Sequence, residues 1–482
     1  MKFSSKMSLF EEQSDEFGIL RERKFHNLSK AEHGSEKQMF IFYYFYFKPM
    51  YTHTLKEFDP DIFASIKGEQ KREEEGLEMI PSENFVSPAV LEALGSVLTN
   101  KYSEGYPGRR YYGGQQFTDE VETLAIERAK AIFRCDHANV QPLSGSPMNQ
   151  AVYLALLKPG DTILGMDLSH GGHLTHGAPV SHMGKLFNFV RYKTHPEEKG
   201  RIDFDELLKI AKETKPKIVL CVYTSYPRDY DYADFKRVAD EVGAITMADV
   251  AHIGGLIAGG AMRNPFDYGF DIVTTTTHKT LRGPRGGIIL SRGKVGNPFK
   301  EPEMTKENIP TILDRSVFPG LQGGPHMNTI SAIAVALKEA MQPEFKEYAR
   351  QIIKNAKSLA EELMRLNIKL VTDGTDNHMM VANTMTSVGF DGTTAEKTLD
   401  KAGITVNKQV IPDDPNPAYK PSGIRIGTPA LTTRGMKEEE MKIIAGWIKA
   451  ALDNFQDENK LAAIRGQVLE LTKKFPLYPT LN

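Results

Sequence analysis

The sequence predicts an α/β fold built on a mainly parallel sheet, followed by a smaller α+β region. Two observations carry this. From about Asp119 to Ser291, short β-branched or apolar runs alternate with helix-like stretches, the signature of βαβ units. After Ile330 the texture turns helical and then yields only scattered strand candidates. The bulk composition agrees. The 482 residues, 40% hydrophobic and 25% charged, match ordinary globular usage and suffice for a sizeable core.

The elements follow in order. Met39 to Phe47 is a run of nine apolar or aromatic residues, seven of them aromatic. It is too short for a bilayer span of about 20 residues. It also lies far from the N-terminus, with no small-residue cleavage pair behind it. Glu11, Glu12, Asp15, Glu16 and Glu22 argue against a mitochondrial presequence. An exposed run so rich in β-formers invites aggregation. Residues 1–54 therefore read as a disordered extension, and a chain starting at Met50 is expected to stay active and be more soluble. Asp59–Gly76 reads as a charged amphipathic helix. Ile80–Gly114 reads as a loop-rich arm. Helices are then predicted at Thr118–Arg134, Pro147–Lys158, Phe204–Lys215 and Tyr232–Val242. Strands are predicted at Asp161–Met166, Lys217–Tyr223, Ala244–Ala248, Ile272–Thr277 and Gly287–Leu290. The C-terminal part offers helices at Thr329–Met341, Pro343–Leu366 and Lys437–Asn454, with one more after it. Its strand candidates are Lys369–Thr372, His378–Ala382 and Ile424–Gly427. The expected division is the extension, an arm over 55–117, a large domain over 118–335 and a small domain over 336–482.

Composition excludes several functions. Lys+Arg number 60 against 62 Asp+Glu, a net charge of -2, so there is no basic footprint for nucleic acid. No membrane partner is expected. Cys135 and Cys221 are the only cysteines, which excludes a disulfide scaffold and a Cys-rich zinc site and fits a reducing compartment. No GxGxxG follows a strand and no P-loop motif occurs.

In parallel α/β sheets, ligands bind beyond the carboxyl ends of the strands, and several motifs fall there. Thr274–Thr277 leads into His278-Lys279 and a Gly/Pro turn. A lysine desolvated at such a place loses its proton more easily and becomes a nucleophile able to form a Schiff base; an ordinary solvated lysine is the alternative. Asp249 ends another strand, where it could hold a cofactor's ring nitrogen protonated or, with His252, form a helix cap or a metal pair. Ser144-Gly145-Ser146 precedes Pro147 and a helix, serving as an N-cap, an anion site or both. His170, His173 and His176 are spaced in threes but separated by glycines, which suits a ring stacked on a planar ligand better than a metal. Tyr102, Glu104, Tyr111 and Tyr112 share a glycine-rich loop that could serve a neighbouring subunit. Arg425 sits in a strand and could hold a carboxylate bidentately.

In chain order these motifs read PSEN, KYSEGYPGRRYYGG, SGS, HGGHLTHG, DVAH, TTTTHKTLRGPRGG, FPGLQGGP and SGIRIGTPA. Together, from about Leu55 to the end, they resemble serine hydroxymethyltransferase, a fold-type I enzyme that uses pyridoxal phosphate. The resemblance implies reversible conversion of serine and tetrahydrofolate to glycine and 5,10-methylenetetrahydrofolate, in a cytoplasmic homodimer with shared active sites or a tetramer. It implies that Lys279 carries the cofactor and Asp249 pairs with its ring nitrogen. His173 would stack on the ring, and His252 and Thr224 would support its phenolic oxygen. Ser144, Gly145, Ser146 and His278, with Gly324 of a second copy, would bind the phosphate. Arg425 and Ser82 would hold the amino acid's carboxylate. Tyr102, Glu104 and Tyr112 would come from the second copy, with Glu104 moving a proton. Tyr111 and Arg285 would support the site. Leu168, Gly172, His173, Leu174, Gln409 and Pro417, Ala418, Tyr419 would contact folate. No metal is implied. The sequence departs from the family's usual pattern at Met148, in the phosphate turn, and at Gln409, where Asn is usual. A folate-independent threonine-aldolase-like enzyme and a non-catalytic binding protein of the same fold are the rivals.

Overall fold

The computed structural model describes residues 53–195, 200–293 and 308–478. The aromatic run at Met39–Phe47, like all of residues 1–52, lies outside them. The chain forms two compact units, Met1–Arg72 and Glu73–Asn482. In the first, Thr54 and Glu57 close a capping box on the short helix Leu55–Phe58. Helix α1 (Pro60–Glu75), predicted over Asp59–Gly76 from its charged amphipathic pattern, starts at a proline.

The second unit is organised by a seven-stranded sheet. Its strands are β1 (His137–Asn139), β2 (Thr162–Met166), β3 (Asn188–Tyr192), β4 (Ile218–Val222), β5 (Ile245–Asp249), β6 (Ile272–Thr276) and β7 (Gly287–Ser291). Their order is β1-β7-β6-β5-β4-β2-β3. The run from β3 through β2, β4 and β5 to β6 is parallel. β7 is antiparallel to both β6 and β1, because the link from Thr276 to Gly287 is too short for a crossover helix. Every residue of β4, β5 and β6 is buried. These strands therefore show no polar–apolar alternation and read as apolar or β-branched runs, since both faces are covered. Successive side chains serve opposite faces: Val219 and Cys221 join one core, and Ile218 and Leu220 the other.

The helices that cover this sheet begin where their sequences say. α2 (Gln116–Phe133), α3 (Gly145–Leu156), α4 (Phe204–Thr214) and α5 (Tyr232–Val242) all fall within about two residues of expectation. Asp203 caps α4 by accepting from the backbone of Asp205 and Glu206, and Asp231 caps α5 in the same way. Gly243 ends α5 in the left-handed region, at φ 69°. The arm is less structureless than predicted, for it holds the helix Pro88–Leu94, capped by Ser87, and a two-residue hairpin.

Past α6 (Met327–Ala340) and α7 (Pro343–Arg365), a second, antiparallel sheet forms. Its strands β8 (Met379–Asn383), β9 (Asn407–Gln409) and β10 (Gly423–Gly427) lie in the order β8-β10-β9. α8 (Gly392–Lys401), α9 (Glu438–Asp453) and α10 (Glu458–Thr472) pack with it around a separate core. The strand predicted at Lys369–Thr372 is corrected: Leu370 makes only an isolated bridge to Ala382. The chain leaves the edge at once, through Asp373 at φ 51°. Among the described residues, no helix is long and apolar enough to cross a membrane.

Candidate active site

The carboxyl ends of β4, β5 and β6 deliver three groups to one place. Asp249 is the last residue of β5, Thr224 follows β4, and Lys279 lies three residues beyond β6. Asp249 is buried at 3% exposure. Its Oδ2 accepts from Asn149 Nδ2 at 2.8 Å and His176 Nε2 at 3.0 Å, and its Oδ1 accepts from the Ala251 N–H at 3.0 Å. Burial opposes its ionisation, but His176, His173 and Lys279 outweigh it and hold the carboxyl well below the usual carboxylate range. The Tyr153 hydroxyl lies 2.6 Å from His176 Nδ1. With Nδ1 accepting from Tyr153, His176 presents its Nε2–H to the carboxylate, an assignment made from these partners.

Burial pushes the Lys279 amine down to about 8, helped by Arg425 and Arg285 and resisted by Asp249. This is the shift the strand-end lysine was expected to undergo. Around it the imidazoles are held neutral. Burial, with neighbouring positive groups, pushes His173 down to about 4 and His278 to about 3, and His252 well below its ordinary value. His173 Nδ1 lies 2.7 Å from Thr175 Oγ1. The three spaced histidines take different hydrogen-bond partners, although the His173 and His176 rings meet edge-on at 5.7 Å. His170 meets Thr194, His173 meets Thr175 and His176 meets Asp249.

Arg425, in β10, is 8% exposed. Its Nη1 donates to the Thr224 carbonyl at 2.7 Å and its Nε to Asn407 Oδ1 at 3.2 Å. Among the described residues no carboxylate pairs with it, and burial pushes its guanidinium down to about 10. A buried cation held by neutral acceptors alone is poised for an anion from outside. Ser225 Oγ donates to Gln409 Oε1 at 3.0 Å and accepts from Arg425 Nη1 at 3.3 Å. Gln409 thus meets the arginine through one hydroxyl.

Ser144 leads α3 without a side-chain cap hydrogen bond, which leaves the first N–H groups of the helix for another acceptor. A Cβ added at Gly145 would lie 2.9 Å from Thr276 Cγ2, so only glycine brings this turn against the end of β6. Among the described residues, no hydrogen-bond partner meets the buried His278 Nδ1.

A second group stands apart. A Cβ added at Gly324 would meet the Tyr102 ring at 3.4 Å, and one at Gly323 would meet Glu104 Oε1 at 3.3 Å. Tyr102 donates to Glu104 Oε1 at 3.2 Å and stands edge-on to Tyr112 at 5.0 Å. Tyr102, Tyr111 and Tyr112 are exposed. Among the described residues no hydrogen bond joins this group to Lys279, Asp249 or Arg425. Leu168, Leu174 and Tyr419 are exposed, as are Pro417 and Ala418, while Gly172 is buried and bonded to the Asp167 carbonyl. Ser82 is half-buried and Arg285 exposed.

Sequence reasoning missed His378, Asn149, Tyr153 and Asn84. His378 Nε2 lies 3.2 Å from His252 Nδ1, and burial and the nearby cations push it down to about 3. The available signal was Asn377-His378 at the mouth of a predicted strand. A family model described as Serine hydroxymethyltransferase matches residues 55–448, well over half of the chain. The chain belongs to the serine hydroxymethyltransferase family, whose members use pyridoxal phosphate to interconvert serine and glycine with tetrahydrofolate.

Proposed function

We propose that this chain carries out the family reaction at the cluster around Lys279. The observation that carries the reading is the set of three charges: a lysine amine eased toward neutrality, an aspartate held ionised, and a buried arginine without an acid. The residues present fit pyridoxal phosphate. The uncapped start of α3, the close Gly145 turn and the unpartnered His278 Nδ1 suit a phosphate. Asp249 suits a protonated ring nitrogen. When bound, the cofactor supplies an electron sink for the amino acid's α-carbon.

The chain's own groups do the rest. Lys279 offers the amine that attaches the cofactor. Asp249, fixed by three hydrogen bonds, keeps the ring nitrogen's proton in place. His173 would present a neutral ring face to the cofactor, and His252 and Thr224 would support its phenolic oxygen. Arg425, with Ser82, anchors the carboxylate of serine or glycine. Gln409, Leu168, Gly172, Leu174 and the segment 417–419 line the folate side.

Tyr102, Glu104, Tyr112 and Gly324 act in trans, in a homodimer with shared sites; Tyr111 and Arg285 support the site. Their contacts with one another on an exposed aromatic face support this, because such a face favours burial against a second copy. The fold is that of the fold-type I enzymes, with an arm over 55–117, a large domain over 118–335 and a small one over 336–482. Two separate cores support a large and a small domain, although the first core reaches to Ile352 and the second takes in Leu77 and Met79 of the arm. We place the enzyme in the cytoplasm.

Subunit mixing tests the reading. Lys279→Ala and Glu104→Gln should each be inactive with serine and tetrahydrofolate. Random re-pairing should restore roughly a quarter of the sites, since half the dimers would carry one intact pair. No recovery on mixing would contradict the shared site.

A further inference from the structure

We infer that Asn84 is a positioning residue for Lys279, fixing the turn from which the reactive amine projects. The inference rests on the reading of Lys279 as the cofactor-bearing residue. Asn84 is half-buried, two positions beyond Ser82, and its amide makes four hydrogen bonds. Nδ2 donates to the Lys279 carbonyl at 3.0 Å and to the Tyr348 hydroxyl at 2.7 Å. Oδ1 accepts from the Phe85 N–H at 3.0 Å and from Thr433 Oγ1 at 2.7 Å. An asparagine amide has two donors and two acceptor lone pairs, so every capacity is used. No other residue type places two donors and two acceptors at this reach.

The bonds close a ring of contacts around the lysine. The Lys279 carbonyl also accepts from the Arg282 N–H at 3.0 Å. That turn carries Arg282 at φ 59°, in a region costly for a side-chain-bearing residue. The Arg282 guanidinium then lies 4.7 Å over the ring of Tyr348, the residue whose hydroxyl Asn84 holds. Thr433 ends the short helix Pro429–Thr433, which follows the arginine strand β10. Through one amide, the arm near Ser82, the lysine turn and the segment after Arg425 are tied together. A loosened turn leaves the amine in the cleft but off its line of approach, and misplacement by about 1 Å costs on the order of 100-fold in rate.

The test uses the full chain. Asn84→Leu keeps the shape and removes all four bonds. Asn84→Asp, which loses both donors, covers the case in which leucine does not fold. Thr433→Val is the structural control, because it breaks one bond of Asn84 and leaves the Lys279 contact. The cofactor-free proteins are mixed with pyridoxal phosphate, quenched with borohydride, and the labelled Lys279 peptide is followed by mass spectrometry. Attachment at Lys279 should slow by roughly 10- to 100-fold in the Asn84 variants and by less than about threefold in Thr433→Val. The kcat for serine cleavage should fall in parallel, with KM for serine nearly unchanged. A merely structural role would instead lower thermal stability and activity alike in the Asn84 variants and Thr433→Val. Wild-type attachment rates in the Asn84 variants would overturn the inference. A wild-type chain that attaches no cofactor at Lys279 would overturn the reading beneath it.

Discussion

The Lys279 amine is expected to titrate near 8 in the cofactor-free chain, against an ordinary 10.5. At pH 8 about half of a group titrating at 8 is neutral. A group titrating at 10.5 is only about 0.3% neutral, so the environment raises the reactive fraction by roughly 160-fold. The neighbours fix the signs. Asp249 stabilises the ammonium and Arg425 destabilises it. Asp249→Asn should therefore lower the midpoint further, and Arg425→Met should raise it. Competitive labelling with an amine reagent from pH 6 to 11 measures this. The Lys279 peptide is quantified by mass spectrometry, with exposed lysines as the internal standard. A wild-type midpoint near 10.5, an upward shift in Asp249→Asn or a downward shift in Arg425→Met would refute the electrostatic reasoning.

Other outcomes follow from the same geometry. His378 is fully buried and pushed down to about 3, whereas an unfolded histidine titrates near 6.5. The unfolded chain then binds more protons between these values, so stability is complete above pH 6.5 and drains away as pH falls toward 3. By pH 5 the loss from this group is about 2 kcal/mol, and thermal melts of cofactor-free His378→Gln should show a correspondingly shallower drop between pH 7 and 5. Gly145→Ala sets a methyl 2.9 Å from Thr276 Cγ2. It should weaken pyridoxal phosphate binding by about tenfold in equilibrium titration, an overpacking cost of roughly 1–2 kcal/mol. Arg425→Lys loses the planar fork that matches a carboxylate. Its KM for serine should rise by roughly 10- to 100-fold in steady-state kinetics, with a smaller change in kcat.

What the sequence made legible depends on how local the cause is. Helix Tyr232–Val242 was predicted with the bounds it has, because Asp231 caps it and Gly243 ends it within the segment itself. The buried strands β4 to β6 announced themselves as β-branched or apolar runs. β1, of three residues, and β3, a partly buried edge strand, carry too little periodic signal. Lys279 and Asp249 stood out because each lies at or just past the carboxyl end of a strand. Asn149, His378 and Asn84 did not, because their partners lie 100, 126 and 195 residues away. Only folding makes those pairs. Gln409 shows the same limit: its departure from the family pattern was visible, but its link to Arg425 through Ser225 was not.

The central claim is that serine–glycine interconversion runs through Lys279. The most direct measurement is the conversion of labelled serine by the full chain with pyridoxal phosphate, in the presence and absence of tetrahydrofolate, beside Lys279→Ala. The account predicts tetrahydrofolate-dependent formation of glycine and methylenetetrahydrofolate by the wild type, and neither product from Lys279→Ala. Sustained turnover by Lys279→Ala, or wild-type serine cleavage indifferent to tetrahydrofolate, would contradict it.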